Sequence, residues 1–256
     1  MTGTGTQQEG GGARLAGAVV ILSGGTRGMG EAMVRGIVAQ GGKVVFGGRD
    51  SAAGAAIEAG LGGHALYTPL DVRREEDWSR AVTLATQRFG TITGLVNTAG
   101  FSLSRPIEAI GMAEIDEVIG INQIGVLLGM KHVVPALRAG GAGSIVNIGS
   151  AAGLRAHAGL AIYGGAKAAV VGMSLAVAAE LAPLGIRVNV VHPGFFATRL
   201  LDEASRGAGR AIGRERTPMG RVAQPEEIVG TIVYLLSEDS RFVTGTQIAV
   251  DGGLTM

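Results

Sequence analysis

Short β-branched runs alternate with longer helical patterns along most of the chain, and this alternation limits the possible folds more than any other feature. The order begins AVVILSG, MGEAMVRGIVAQGG, KVVFGG, SAAGAAIEAGL and HALYTPLDV, and it ends with EEIVGTIVYLLSE and TQIAVDGG. Strands that alternate with helices form βαβ units and a parallel sheet. The strand segments are almost continuously apolar, as strands covered by helices on both faces must be. The sequence therefore predicts an α/β fold, a single doubly wound Rossmann-type domain with about seven parallel strands.

The predicted domain covers residues 14–256. The segment before it, residues 1–13, is polar and rich in Gly and Thr, so we expect a disordered tail. That segment has no apolar core of the length that a signal peptide needs, and no run reaches the roughly 18 uncharged apolar residues of a membrane span. These observations favour a cytoplasmic protein without membrane contact. The segment at about 195–224 is charged and long for a connection, which is typical of a lid.

Charge and composition exclude several classes of partner. The 22 Lys and Arg residues nearly balance the 21 Asp and Glu residues, and no basic stripe with interleaved aromatic residues suggests a nucleic-acid surface. The chain has no cysteine and only four histidines, so neither a disulfide framework nor a metal site is expected. A small molecule is the expected partner.

A glycine-rich turn follows the first predicted strand. The sequence SGGTRGMG places Gly24, Gly28 and Gly30 between a strand and a helix, with Thr26, Arg27 and Met29 among them. Glycines at these places let a pyrophosphate approach backbone N–H groups and the positive end of the following helix. The alternative interpretation is an ordinary glycine-rich turn. The context, strand then helix, favours a dinucleotide site.

The second strand ends in VVFGGRD, which bears on the choice of dinucleotide. Folds of this kind often place a carboxylate there to bind the ribose hydroxyls, but this chain has Gly48. Arg49 follows at once, and Arg27 lies in the glycine loop, so two guanidinium groups are available for a 2′-phosphate. Asp50 is better placed as a helix N-cap, although it is also a possible substitute carboxylate. The pattern predicts NADP(H), with NAD(H) as the alternative, and surface charge is the other explanation of the two arginines.

Two later strands also end in polar or small residues. Asp71, followed by Val72, ends the third strand, where it could accept from an adenine amino group or simply cap a turn. The sequence NTAG, from Asn97 through Ala99 to Gly100, ends the fourth strand, where the strand order should reverse and a ligand crevice should open.

The stretch YGGAKAAVVGMSLAVAAEL predicts a long helix, Tyr163–Leu181, that is apolar almost all round. At 100° per residue, Tyr163, Lys167 and Ser174 fall within about 40° of one another. An isolated pair of this kind usually packs its ring and extends its lysine to solvent, but a helix buried on all sides leaves Lys167 little solvent. An ammonium beside a phenol stabilises the phenolate, so we expect Lys167 to lower the pKa of Tyr163.

These motifs together resemble the short-chain dehydrogenase/reductase family over nearly the whole chain after residue 14. The resemblance rests on Gly24-x3-Gly28-x-Gly30, NTAG, Asn122, Ser150, Tyr163-x3-Lys167 and PGFFAT. The segments IVNIGSAAGL and IRVNVVHPG are most similar to bacterial hydroxysteroid-type members. The chain departs from the family pattern at Thr98, where an Asn is usual, and at Gly149, where a Ser is usual; neither position is a catalytic one.

The resemblance implies roles for individual residues. Tyr163 would exchange a proton with the substrate oxygen, and Ser150 would hydrogen-bond the same oxygen. Lys167 would contact the nicotinamide ribose, and Asn122 would anchor a water chain from Lys167 to solvent, although a buried structural amide is the ordinary role for such an Asn. Thr198 would bind the nicotinamide carboxamide, or else cap the following helix. The implied cofactor site contains Gly24, Thr26, Arg27, Gly28, Met29, Gly30, Arg49, Asp71, Val72, Asn97, Ala99, Gly100, Tyr163, Lys167, Pro193, Gly194 and Thr198.

The expected function is hydride transfer between a nicotinamide dinucleotide, NADP(H) in preference to NAD(H), and the carbonyl or secondary alcohol of an apolar, steroid-like ketone. The substrate walls should be largely apolar, and the family implies a homotetramer. The residues expected to shape the substrate site are Ala152, Leu154, His157, Leu160, Phe195, Phe196 and Leu200; for His157, exposure on a loop is the ordinary alternative. A 3-oxoacyl carrier-protein reductase and a non-catalytic dinucleotide-sensing protein are the competing functions.

Overall fold

A computed structural model describes residues 13–205 and 207–256, so the predicted tail lies outside the described residues except for Ala13. The strands are β1 Val19–Ser23, β2 Lys43–Gly48, β3 Ala65–Pro69, β4 Gly94–Asn97, β5 Gly143–Ile148, β6 Ile186–Pro193 and β7 Gln247–Val250. The helices are α1 Gly28–Ala39, α2 Ser51–Ala59, α3 Glu75–Phe89, α4 Met112–Ile119, α5 Gly125–Ala139, α6 Ala161–Leu181, α7 Arg199–Ala204, α8 Gly209–Arg216 and α9 Val229–Leu236.

The seven strands form one parallel sheet in the order β3-β2-β1-β4-β5-β6-β7. This confirms the predicted fold class. The order reverses between β1 and β4, whose last residues, Ser23 and Asn97, are paired in the sheet. A crevice at the carboxyl ends of strands is expected at such a reversal. Both loops that follow, the glycine turn and the NTAG segment, therefore meet at this point.

Alternate residues of each central strand supply two hydrophobic cores. Ile21 packs with Trp78 and Val133 under α3, α5 and α6, whereas its neighbour Leu22 packs with Met33 under α1 and α9. Every residue of β1 is buried, which explains the absence of polar alternation in the strand sequences. The prediction that helices cover both faces is confirmed.

The stretch predicted as one long helix around Ile115–Ala139 begins at Met112 and contains a π-helical turn at Gly120–Ile124 between α4 and α5. The wider turn carries Asn122 inward. Such turns inside α-helices are frequent at functional sites. The apolar periodicity predicts the helix but does not predict the interruption.

Two helical stretches, Met112–Ala139 and Ala161–Leu184, are long and apolar enough to cross a membrane by length and composition alone. Both pack on the sheet, where Val133 and Val170 are fully buried in the same core. The buried share of the most apolar window is 44% in the first stretch and 28% in the second.

The predicted lid segment contains two helices, α7 and α8, and its ends meet. The Ala197 N–H donates to the Ala223 carbonyl at 2.8 Å, and the Ala223 N–H donates to the Phe195 carbonyl at 2.9 Å. These bonds close the base of the segment beside β6. Its function as a lid stays a prediction.

Candidate active site

Two backbone segments approach closely at the glycine turn. Gly24 has a φ of +74°, and a Cβ there would lie 2.7 Å from the Cα of Ala99. A Cβ on Gly30 would lie 2.0 Å from the Gly24 carbonyl oxygen. Only glycine fits either position, so the first turn of α1 can pack directly against the ends of β1 and β4. This packing leaves the N-terminal end of α1 facing open space.

That open space is a cleft of about 670 Å³, which we call the glycine-loop cleft. Its described walls include most of the predicted cofactor residues: Gly24, Thr26, Arg27, Gly28, Met29, Gly30, Arg49, Asp71, Val72, Ala99, Gly100 and Thr198. The sequence analysis placed Leu200 at the substrate and did not assign the other residues that line this cleft: Ser51, Leu70, Thr98, Ile121 and Arg199. Leu70 and Thr98 lie beside strand ends, whereas Ile121 lies in the π-helical turn, which the sequence does not predict.

The far end of the glycine-loop cleft is formed by Gly48 and the residues around it. A Cβ on Gly48 would lie 2.8 Å from Thr26 Oγ1, so the Thr26 side chain fills the place beside the strand end. Arg27 and Arg49 are both exposed and both line the glycine-loop cleft. Asp50 caps α2 by accepting from the Ala53 N–H at 3.0 Å, as predicted from its position. Its carboxylate is therefore engaged by its own helix.

Asp71 lines the same cleft but has an ionic partner. Its carboxylate accepts from Arg73 Nε at 2.9 Å and from Arg73 Nη2 at 2.5 Å. Hydrogen bonding to this guanidinium lowers the pKa of Asp71 to about 2. The side chain is thus an anion at neutral pH, held at the turn after β3.

A second cleft of about 500 Å³, which we call the tyrosine cleft, contains Ser150, Tyr163 and Lys167. It shares Met29, Thr98, Gly100, Thr198 and Leu200 with the glycine-loop cleft, so the two are contiguous. Pro193 and Gly194 line it as well. A ligand that extended from one cleft into the other would bring its end to the phenol and the ammonium.

The electrostatics of this trio differ from expectation. Burial raises the pKa of the Tyr163 phenol, and the Ser150 hydroxyl partly opposes the shift by hydrogen bonding. Burial lowers the pKa of Lys167 to about 8, and its Nζ donates to the Ile148 carbonyl at 2.8 Å. The prediction that Lys167 lowers the pKa of Tyr163 is therefore wrong for the protein's own residues. Desolvation dominates, and the ammonium is directed to a backbone carbonyl.

Ser150 is positioned by a residue that sequence reasoning missed. His192, on β6, is fully buried, and its Nδ1 lies 3.2 Å from the backbone nitrogen and 3.0 Å from the backbone oxygen of Ser150. A Cβ on Gly149 would lie 2.6 Å from that same Nδ1. The imidazole thus occupies the place of a side chain at position 149, which explains the glycine there.

Asn122 lies beneath the tyrosine cleft. Its Nδ2 donates to the carbonyls of Phe101 at 2.7 Å and of Val118 at 2.9 Å, and its Oδ1 accepts from the Phe101 N–H at 3.2 Å. A Cβ on Gly100 would lie 3.2 Å from Asn122 Oδ1 and 3.8 Å from Lys167 Nζ, so both groups flank this glycine. The amide has the structural role expected of a buried Asn, and its part in a water chain stays a prediction.

Asn97 and Ser174 belong to a buried network away from both clefts. Asn97 Nδ2 donates to Asn147 Oδ1 at 2.9 Å, and Asn147 Nδ2 donates to Ser174 Oγ at 2.8 Å. Asn97 is only 2% exposed. Its amide group is therefore separated from the cofactor residues with which the sequence grouped it, and Ser174 shares the helical face of Tyr163 for a structural reason.

Thr198 caps α7, accepting from the Leu201 N–H at 3.3 Å, while also lining both clefts. The remaining walls of the tyrosine cleft are largely apolar. They include Ala152, Leu160, Phe195, Phe196 and Leu200, as expected, together with Leu254 from the C-terminal segment. Leu154 faces solvent instead, with 44% of its surface exposed. His157 is half-buried in the cleft rather than free on a loop.

In the described part of the chain, no group of three or more His, Asp or Glu side chains could hold a metal ion. The Tyr163 phenol lines the tyrosine cleft, where it can exchange a proton with a bound molecule.

Comparison with known proteins places these features in a family. Residues 24–255 match the family model described as enoyl-(acyl carrier protein) reductase. The chain is 40% identical over 240 residues to a 3-alpha-(or 20-beta)-hydroxysteroid dehydrogenase of Mycobacterium tuberculosis (strain ATCC 25618 / H37Rv), covering 94% of this chain and 90% of that protein. It is 34% identical to an NADP-dependent (R)-specific alcohol dehydrogenase of Lentilactobacillus kefiri, covering 94% of this chain and 98% of that protein. A crystal structure of 3-ketoacyl-(acyl-carrier-protein) reductase from Brucella melitensis, complexed with NADH, superposes with a TM-score of 0.89 at 31% identity, covering 94% of this chain and 99% of that one.

Proposed function

The chain belongs to the short-chain dehydrogenase/reductase family of oxidoreductases, and from this premise we propose that it transfers a hydride between NADP(H) and the carbonyl or secondary alcohol of an apolar ketone, cyclic or steroid-like. The observation that carries the proposal is the position of Tyr163 and Ser150 in a largely apolar cleft that is continuous with the glycine-loop cleft. We treat residues 14–256 as one catalytic domain whose lid is the segment at about 195–224.

The residues of the glycine-loop cleft fit a nicotinamide dinucleotide. Gly24, Gly28 and Gly30 line it at the start of α1 and have no side chain to keep a phosphate away from the backbone. Backbone N–H groups at a helix N-terminus bind phosphate well. When bound, the nicotinamide supplies or accepts the hydride, and the protein must manage the accompanying proton.

In the proposed reaction, Tyr163 donates that proton to the ketone or accepts it from the alcohol. Because burial raises the pKa of its phenol, Tyr163 is protonated at neutral pH and can donate to the oxygen of a ketone. The Ser150 hydroxyl holds the same oxygen in place. Lys167, with a pKa of about 8, exchanges its own proton near neutral pH and is suited to resupply the phenol. In the oxidation direction the phenol must first lose its proton, so rising pH favours alcohol oxidation.

The preference for NADP(H) rests on the end of β2. A carboxylate at position 48 would accept from both ribose hydroxyls and repel a 2′-phosphate, and Gly48 removes both effects. Arg27 and Arg49 add two exposed guanidinium groups on the wall of the same cleft. Two charge-assisted hydrogen bonds of about 1.5 kcal/mol each, reduced by up to half for solvent exposure, give about a tenfold to hundredfold preference. The NADP-dependent relative from Lentilactobacillus kefiri is consistent with this assignment.

The cofactor assignment is tested by kcat/KM for NADPH and for NADH in the wild type and in Gly48→Asp/Arg49→Leu. A Cβ at position 48 meets Thr26, so Gly48→Ala serves as the matched control for that contact. We expect the wild type to favour NADPH, the alanine variant to keep the preference, and the double variant to lose it. A wild type that favours NADH, or a double variant with an unchanged ratio, would refute the assignment.

A carrier-protein reductase is the second candidate, favoured by the similar Brucella melitensis structure. It would need a basic surface near the lid for an acidic carrier protein. Three lid arginines are already paired with carboxylates: Arg199 with Glu203, Arg210 with Asp202, and Arg221 with Glu227. This pairing lowers the charge available for docking. A panel of cyclic ketones, steroids and acyl thioesters, assayed with both cofactors, separates the two candidates.

We further propose that the protein is a cytoplasmic homotetramer. The outer sides of α5 and α6 expose apolar residues, among them Leu127 at 41% and Leu175 at 40% of their surface. Two long helices with apolar outer sides are suited to pack against their copies across a two-fold axis. No membrane or nucleic-acid contact is part of the proposal.

A further inference from the structure

The proposed lid, at about 195–224, contains a cation that forms no salt bridge with any described residue. Among the described residues, Arg216, the last residue of α8, forms no salt bridge, whereas Arg199, Arg210 and Arg221 of the same segment each bind a carboxylate. Arg216 instead lines the tyrosine cleft and donates from Nη2 to His157 Nδ1 at 3.2 Å. The contact joins the lid to the loop that follows Ser150.

This hydrogen bond fixes the orientation of the imidazole proton. A guanidinium has no acceptor, so Nδ1 of His157 must accept, and the proton of the neutral ring lies on Nε2. Burial and the charges of Arg216 and Arg155 lower the pKa of His157, which keeps the ring neutral at pH 7. The remaining guanidinium N–H groups are therefore the donors available at this place in the cleft, and the imidazole holds the guanidinium there.

The rest of the tyrosine cleft supplies no negative charge to meet these donors. Its described walls contain no Asp or Glu, and its other cation, Lys167, donates to the Ile148 carbonyl. Arg155 adds a second guanidinium near His157, with its Nη1 donating to the Leu254 carbonyl at 3.1 Å. An apolar cleft with cationic donors at one place is suited to an apolar molecule that carries one anionic group.

We propose that Arg216 and His157 form a subsite for a carboxylate on the substrate, so that the protein acts on ring or chain ketones bearing an acid group remote from the carbonyl. This inference rests on the proposed function, since it assigns the second end of a substrate whose carbonyl binds at Tyr163 and Ser150. The carboxylate accepts charge-assisted hydrogen bonds from the guanidinium, which His157 holds in place through Nδ1.

The test uses two matched probes, 4-oxocyclohexanecarboxylate and 4-oxocyclohexanecarboxamide, with homologues in which methylene groups separate the acid or amide from the ring. Reduction with NADPH is measured for the wild type, Arg216→Met, Arg216→Lys and Arg214→Met. Arg214→Met is the control, because Arg214 lies in the same last turn of α8 but outside the described walls of the cleft. Calorimetric titration of the NADP-bound protein with cyclohexanecarboxylate and cyclohexanecarboxamide measures binding without turnover.

For at least one acid/amide pair we expect the wild type to favour the acid by about tenfold in kcat/KM, mainly through KM, as one partly exposed charge-assisted contact allows. Arg216→Met should bring the ratio close to one, Arg216→Lys should restore part of it, and Arg214→Met should keep it. A wild type without acid preference in any pair, or an Arg216→Met variant that keeps it, overturns the subsite. If no ketone is reduced with either cofactor, the proposed function fails, and the titration still decides whether the carboxylate binds at Arg216.

Discussion

Replacing Lys167 by Met should stabilise the protein at pH 7 while abolishing turnover. Lys167 is 3% exposed, and burial lowers its pKa from 10.5 to about 8. That fall corresponds to about 3 kcal/mol of cost for holding the charged form inside the protein. The variant also loses the hydrogen bond to the Ile148 carbonyl, worth about 1 kcal/mol. The net gain at pH 7 is about 2 kcal/mol.

The sign of this effect should reverse with pH. Between pH 8 and 10.5 the unfolded chain still holds the Lys167 proton while the folded protein has released it, so wild-type stability rises with pH in this window. Above 10.5 the amine is neutral in both states, and the cost of burying a charge disappears. The variant then lacks only the hydrogen bond and becomes less stable than the wild type by about 1 kcal/mol.

The assay is urea unfolding at several pH values and one protein concentration, followed by fluorescence of Trp78, the single tryptophan, which is fully buried. Lys131→Met is the control, because Lys131 is exposed in a surface pair with Glu75, and its replacement should change stability by less than about 1 kcal/mol. A Lys167→Met variant that is destabilised at pH 7, or a difference that stays constant from pH 7 to 11, would show that burial does not set the pKa of Lys167.

Three further outcomes are expected. Tyr163→Phe should abolish turnover and keep cofactor binding, measured by titration; a variant that retains more than about a tenth of wild-type kcat/KM would mean that Tyr163 is not the proton donor. Leu127→Glu combined with Leu175→Glu should yield smaller assemblies by light scattering, because the introduced carboxylates on facing helices repel one another. A monomeric wild type at micromolar concentration would refute the tetramer. Ser174→Ala should cost about 1–3 kcal/mol in urea unfolding, since it leaves a buried amide hydrogen of Asn147 without its acceptor; an unchanged midpoint would show that the network contributes little.

The fold could be predicted from local patterns, because the apolar periodicity of a strand or a helix depends only on residues that are close in sequence. The β1 and β4 ends could be placed together from the strand order that such patterns imply, and the glycines at 24 and 30 proved to be required by close backbone approach. The π-helical turn at Asn122 was not predictable, since it changes the winding of a helix without changing its apolar pattern.

The site was harder to predict where contacts join distant segments. His192 beneath Ser150 and Arg216 beside His157 are each separated from their partners by long stretches of sequence. The segment IRVNVVHPG contains His192 but does not indicate its contact with Ser150, and Arg216 lies in no motif. The predicted direction of the Tyr163 pKa shift was wrong. The shift depends on desolvation of the phenol, which is a property of the packed cleft and not of residue spacing. The side chain of Asn97 points into the core, because adjacent positions at a strand end face different environments, and its place among the cofactor residues stays a prediction.

The hydrogen bonds that join Phe195 and Ala197 to Ala223 have a consequence for how the protein can diversify. They hold the two ends of the segment at about 195–224 at a fixed spacing. The length and sequence between these ends can therefore change while the attachment points keep their register. Two ion pairs, Arg199 with Glu203 and Arg210 with Asp202, have both partners inside the segment, so replacing the segment would not leave either partner behind in the rest of the protein. Replacing the segment at about 195–224 by its counterpart from another family member should therefore leave the sheet and the glycine turn unaltered, which makes this junction a natural place for recombination.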